Sequence, residues 1–98
     1  MAEAAAAAWR TGAVVLVNSA GLHARPAVKL TQTAKAFGGR VEFALATDGP
    51  WLDAKSPVKV MRAKAAKGAT LYFRATGADA EAAVAALLAL AAGGFGED

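Results

Sequence analysis

The chain has 98 residues, enough for one domain with a modest core. Eleven Lys and Arg against 8 Asp and Glu give a formal charge of +3, which fits either an acidic protein partner or nucleic acid. With no cysteine and one histidine, a disulfide framework, a thiolate metal site and a multi-histidine metal site are excluded, and no apolar run approaches the about 18 residues of a membrane helix.

Residues 1–9 form an alanine-rich leader with one acid and nothing to anchor it, so a flexible tail is expected there. Its start, Met1-Ala2-Glu3, lacks the basic region of a secretory signal, and the following alanines are weakly apolar. A cytoplasmic protein is the expectation. Gly12 to Val17 is a β-branched run of strand length, closed by Asn18-Ser19. Alternation leaves open whether Val14 and Leu16 or Val15 and Val17 face the core. Asn18 to Leu22 reads as a loop leading to His23.

Pro26 is tolerable only in the first turn of a helix, so that helix starts between Ala24 and Pro26. Ala27, Leu30, Ala34 and Phe37 share one stripe, and Gly38-Gly39 ends the helix. Arg40 to Ala46 alternates, with Val41, Phe43 and Leu45 on one face. Thr47 to Pro50 is turn chemistry, and Trp51 to Ala54 is a short partner strand. Ser56-Pro57 is a helix start, and that second helix runs to about Lys64. Thr70 to Ala75 alternates again, with Leu71, Phe73 and Ala75 inward. A last helix carries Ala80, Ala83, Val84, Leu87, Leu88 and Ala91 in one stripe and stops at Gly93-Gly94. Residues 10–93 therefore make the domain, and 94–98 a C-terminal tail.

The order β-α-β-β-α-β-α with one hairpin argues a two-layer α+β domain around an antiparallel sheet. Periodicity alone does not separate this from a ferredoxin-like arrangement.

The chemistry concentrates at the start of the first helix. His23 and Arg25 stand at its open end, where unpaired amides and the helix dipole favour an anion. An imidazole there can act as a nucleophile through an unprotonated ring nitrogen. A phosphoryl group bound there would bring about −2 charge, and Arg25 would offer it charge-assisted hydrogen bonds.

The run Gly21-Leu22-His23-Ala24-Arg25-Pro26-Ala27 resembles the active-site motif of HPr, the histidine phosphocarrier family of the bacterial phosphotransferase system. Lys55-Ser56-Pro57-Val58-Lys59-Val60-Met61 and Ala65-Ala66-Lys67-Gly68 are similar to the family's regulatory-serine and second-helix region. The resemblance implies an open-faced β-sandwich, with a four-stranded antiparallel sheet in the order 1-4-2-3 and three helices on one face. It places Val14 and Leu16 inward. It implies that His23 takes phosphate on Nδ1 from phosphorylated Enzyme I and passes it to an A-type domain of an Enzyme II, or into a regulatory relay. Arg25 would hold the phosphate.

By the same resemblance Ser56 aligns with the serine that a dedicated HPr kinase/phosphorylase modifies in some members, although Pro57 stands where a bulky aliphatic residue is common. Ala24, Pro57, Val58, Lys59, Met61 and Arg62 would meet partner proteins, with Val58 and Met61 as an apolar patch ringed by cations. Val60 is the core residue of that helix. Lys64 replaces a glycine frequent in the family, so the turn there is expected to differ. No metal, cofactor or membrane contact is expected, and the chain should be a monomer.

Two rivals remain at this level. One is a small nucleic-acid-binding domain using the basic run Lys55, Lys59, Arg62, Lys64 and Lys67. Its weakness is that the predicted outer faces of the two inner strand runs carry no clustered aromatics, only Tyr72, with Trp51 and Tyr72 as the stacking candidates such a binder would need, and it leaves the histidine motif unexplained. The other is a regulatory HPr-like protein without transfer activity.

Overall fold

The computed structural model describes residues 8–97. Four strands, β1 (Arg10–Val15), β2 (Val41–Ala44), β3 (Leu52–Asp53) and β4 (Thr70–Ala75), form one sheet in the order β1-β4-β2-β3. Every neighbouring pair is antiparallel. Three helices, α1 (Ala24–Lys35), α2 (Pro57–Arg62) and α3 (Ala80–Ala92), cover one face and leave the other open. This is the two-layer open-faced sandwich the motifs imply, and it removes the ferredoxin-like alternative.

The register explains the core. Val14 lies opposite Leu71, and Phe43 sits between Phe73 on one side and Leu52 on the other. Antiparallel partners share a face, so these side chains meet the helices together. Phe43, Phe73, Leu71, Leu16, Leu30, Leu87 and Val60 are all fully buried. Val15 and Val17, on the alternate phase of the first strand run, are exposed. At Gly12 the helix α3 comes so close to β1 that a Cβ would lie 2.7 Å from Leu88 Cδ1 and 2.9 Å from Val84 Cγ1, so a larger residue there would require those side chains to shift.

Three expectations change. Leu45 is exposed, because β2 ends at Ala44 and the alternation has no sheet left to act on. Of the expected N-terminal tail, residues 1–7 lie outside the described residues, whereas Trp9 is half-buried against Arg74. Of the expected C-terminal tail, residues 94–97 pack onto the domain. Gly94–Gly96 forms a 3-10 turn, and Phe95, only 1% exposed, completes the core. Phe95 is an apolar side chain large enough that its burial outweighs the cost of its left-handed backbone, φ +58.

Lys64 also adopts a left-handed backbone, φ +52. Its N–H donates to Met61 O at 3.2 Å, so the turn out of α2 is the one a glycine would make, formed by a residue that pays conformational strain for it. Among the described residues no helix is long and apolar enough to cross a membrane, and no group of three or more His, Cys, Asp or Glu side chains could hold a metal ion.

Candidate functional site

The loop before α1 is fixed from two sides. Asn18 is fully buried, donates through Nδ2 to Gly21 O at 2.8 Å, and accepts from Gly21 N at its own carbonyl at 3.1 Å. Leu22 N donates to Ala65 O at 2.9 Å while the Leu22 side chain sits in the core. Gly21 has φ +70, and a Cβ there would fall 2.4 Å from Ala65 O. Only glycine permits this approach. The turn that follows α2 therefore sets the height at which the next residue, His23, leaves the loop.

His23 is the N-cap of α1, with extended backbone (φ −94, ψ −163), and its carbonyl accepts the first helical bond from Ala27 N at 2.9 Å. Its imidazole makes no capping hydrogen bond and is exposed. The amides of Ala24 and Arg25 precede the first intrahelical bond, and Pro26, buried, has none to offer. No acidic side chain of the first turn neutralises this end of the helix. An uncommitted ring nitrogen thus stands at the positive end of a twelve-residue helix.

Beside it lies a shallow hollow of about 400 Å³, lined by Ala20, Leu22, His23, Met61, Lys64, Ala65 and Ala66. Met61 is the predicted partner residue that shares this hollow with His23. Ala24, Pro57, Val58, Lys59 and Arg62 are exposed as well but do not line it. Val60 turns the other way and is fully buried. Ser56 is the N-cap of α2, its Oγ accepting from Lys59 N at 3.3 Å. A wider groove of about 680 Å³ opens near β2 and β3, away from His23. Lys55, on its wall, is already engaged with the carbonyls of Phe37 and Gly39 at 2.7 and 2.8 Å.

Sequence reasoning missed two residues of the site. Glu97 comes back from the C-terminus and places Oε2 2.8 Å from Lys29 Nζ and 3.8 Å from Arg25 Nε. Lys29 Nζ also donates to Phe95 O at 2.6 Å. The hydrogen bond from Lys29, helped by the positive charges of Arg25 and Lys29, holds the Glu97 carboxyl below the usual glutamate range, against the opposing pull of desolvation. The available signal was Phe95, a large apolar residue amid glycines where a free tail would carry none.

Known proteins place this arrangement. Residues 11–92 match the family described as the PTS HPr component phosphorylation site. The phosphocarrier protein HPr of Cupriavidus necator is 43% identical over 82 residues, covering 84% of this chain and 90% of that protein. The phosphocarrier protein NPr of Escherichia coli K12 is 36% identical over 85 residues, covering 87% and 93%. The crystal structure of HPr-C-His from Thermoanaerobacter tengcongensis superposes with a TM-score of 0.82 at 32% identity, covering 91% of this chain and 98% of that one. The chain belongs to the HPr family of phosphocarrier proteins.

Proposed function

We propose that His23 is the phosphoryl-accepting residue, that it is charged by phospho-Enzyme I, and that it discharges to an A-type domain of an Enzyme II or to a related regulatory phosphotransferase. The observation that carries this reading is the exposed imidazole at the N-terminus of α1 with no capping hydrogen bond of its own. In the transfer, the lone pair of a ring nitrogen forms the new P–N bond while the donor's bond to phosphorus breaks and its electrons stay with the donor. The His23 proton on the other ring nitrogen is not required to move. Such a transfer needs alignment and charge stabilisation more than covalent machinery. The helix N-terminus and Arg25 supply the second, and the partner completes the first. The module is a stoichiometric relay and uses no cofactor.

The docking surface follows from exposure and charge. Met61 presents apolar area in the hollow beside His23, and Val58, Pro57, Lys59 and Arg62 on the same helix and Ala24 next to His23 are exposed to a partner. An acidic partner surface with an apolar centre is complementary. Ser56 is the regulatory position, and a kinase acting on it must accept Pro57. The domain spans residues 10–93 with 94–97 added as its C-terminal clasp, and it works as a monomer in the cytoplasm, within reach of a phosphoenolpyruvate-fed donor.

The test is incubation with Enzyme I and phosphoenolpyruvate, read by intact mass. Wild type should gain one acid-labile, base-stable phosphate and His23→Ala none. An unmodified wild type, or a phosphorylated His23→Ala, overturns the assignment.

A further inference from the structure

The C-terminal segment is more than a plug. After Gly93 the chain reverses through the 3-10 turn, Phe95 seats in the core, and two groups of that turn point at one lysine of α1: the Phe95 carbonyl and the Glu97 carboxylate. Lys29 is thereby held at two points, at 2.6 and 2.8 Å. Arg25, one helical turn earlier on the same helix, shares the same carboxylate oxygen but only at 3.8 Å, beyond hydrogen-bond distance, with its side chain 77% exposed. The Glu97 side chain is 14% exposed, so its charge depends on protein partners.

We propose that Lys29 is a positioning residue: by occupying the near side of Glu97 it keeps Arg25 weakly held beside His23, ready to exchange the carboxylate for a phosphoryl group. This inference rests on the reading of His23 as the phosphoryl carrier. The reason lies in the competition for one oxygen. If Lys29 were absent, Arg25 would be the one counter-charge left to Glu97 among the described residues and would close on it, and moving Arg25 to a phosphate would leave that carboxylate without it. With Lys29 in place, Glu97 stays neutralised whichever way Arg25 turns. An exposed pair at 3.8 Å is weak, whereas a guanidinium facing about two negative charges on phosphate gains charge-assisted hydrogen bonds. The carboxylate then acts as a resting place for Arg25, and Lys29 decides how tightly it is held there.

The variants are Lys29→Met, Glu97→Gln and the pair, in the full chain, with Lys29→Arg as the conservative control and thermal melts to confirm folding. Two readouts are needed. The first, without any donor, is the ¹H–¹⁵N resonance of Arg25 Nε. The second is the phosphorylated fraction at equilibrium with phospho-Enzyme I. Lys29→Met should move the Arg25 resonance to a hydrogen-bonded position and lower the phosphorylated fraction's equilibrium constant by roughly twofold to fivefold. In the Glu97→Gln background the same substitution should change neither, and Lys29→Arg should behave as wild type. An effect of Lys29→Met that is equal with and without Glu97, or absent in both, overturns the proposal. Loss of phosphorylation in every protein, wild type included, would instead overturn the carrier reading, and the Arg25 resonance would still decide the role of Lys29.

Discussion

The molecule builds the same chemical unit twice, one carboxylate shared by two cations, and builds it in opposite ways. On the open face of the sheet Glu42 pairs with Arg74 at 2.7 Å and with Arg40 at 3.0 Å. The Arg74 guanidinium lies 3.9 Å from the Trp9 ring centre and 4.2 Å from that of Trp51, so it is sandwiched as well as paired, and only 23% exposed. Strand register brings Arg74 opposite Glu42 on one side and Thr11 on the other, so the ion pair is set by the sheet itself. At the start of α1, Arg25 has, among the described residues, one distant carboxylate and no aromatic contact, and its side chain is solvent-exposed. The first cluster is packed against the sheet; the second leaves Arg25 exposed, as the proposed exchange of carboxylate for phosphate requires. Ion pairs in a structure thus carry little functional meaning until their packing is considered.

Substitutions should separate the two clusters, and the largest effect is expected beneath the loose one. Phe95→Ala removes a buried aromatic and should cost about 3–5 kcal/mol in denaturant unfolding, while also freeing Glu97 from Lys29. Arg74→Ala should follow at about 2–3 kcal/mol, combining lost charge-assisted hydrogen bonds with lost stacking. Arg25→Ala should change stability by under about 0.5 kcal/mol, as an exposed surface substitution does, yet slow phosphoryl acceptance by roughly 10- to 100-fold. If the two arginines cost the same in stability, the contrast between the clusters is wrong. Lys64→Gly relieves a left-handed lysine, against some loss of unfolded-state restriction, and should stabilise by about 1 kcal/mol.

The smallest effect is on acid sensitivity. Because the folded Glu97 carboxyl is held low, its contribution to stability is complete above the ordinary glutamate range and is lost as pH falls through that range to the lowered folded value. Glu97→Gln should flatten that part of the stability curve, measured by urea midpoints across pH. A curve unchanged by Glu97→Gln would mean that the carboxylate makes no stabilising contact in solution.

How much of this was legible in the sequence depended on distance along the chain. Thr70 to Ala75 and the helix stripe from Ala27 to Ala34 were readable because periodicity is local, and the structure buries the inward residues named for them. The start of the first helix was readable because Pro26 and the residues before it, His23 to Arg25, are neighbours, and the structure begins α1 at Ala24. Leu45 misled because alternation does not say where a strand stops. Glu97 was not legible because its partners, Lys29 and Arg25, lie on the first helix at the far end of the sequence, and only the fold brings them together. The Trp9-Arg74-Trp51 stack escaped for the same reason. It shows those two indole rings, Trp51 among them as a stacking candidate, already engaged with an internal arginine.

The most direct test of the account is to phosphorylate ¹⁵N-labelled protein with Enzyme I and phosphoenolpyruvate and compare the arginine Nε and histidine ring resonances before and after. The account predicts a phosphoryl group on the His23 ring, a large change at Arg25 Nε and none at Arg74 Nε. A phosphate on another residue, or one on His23 that leaves Arg25 where it was, would contradict it.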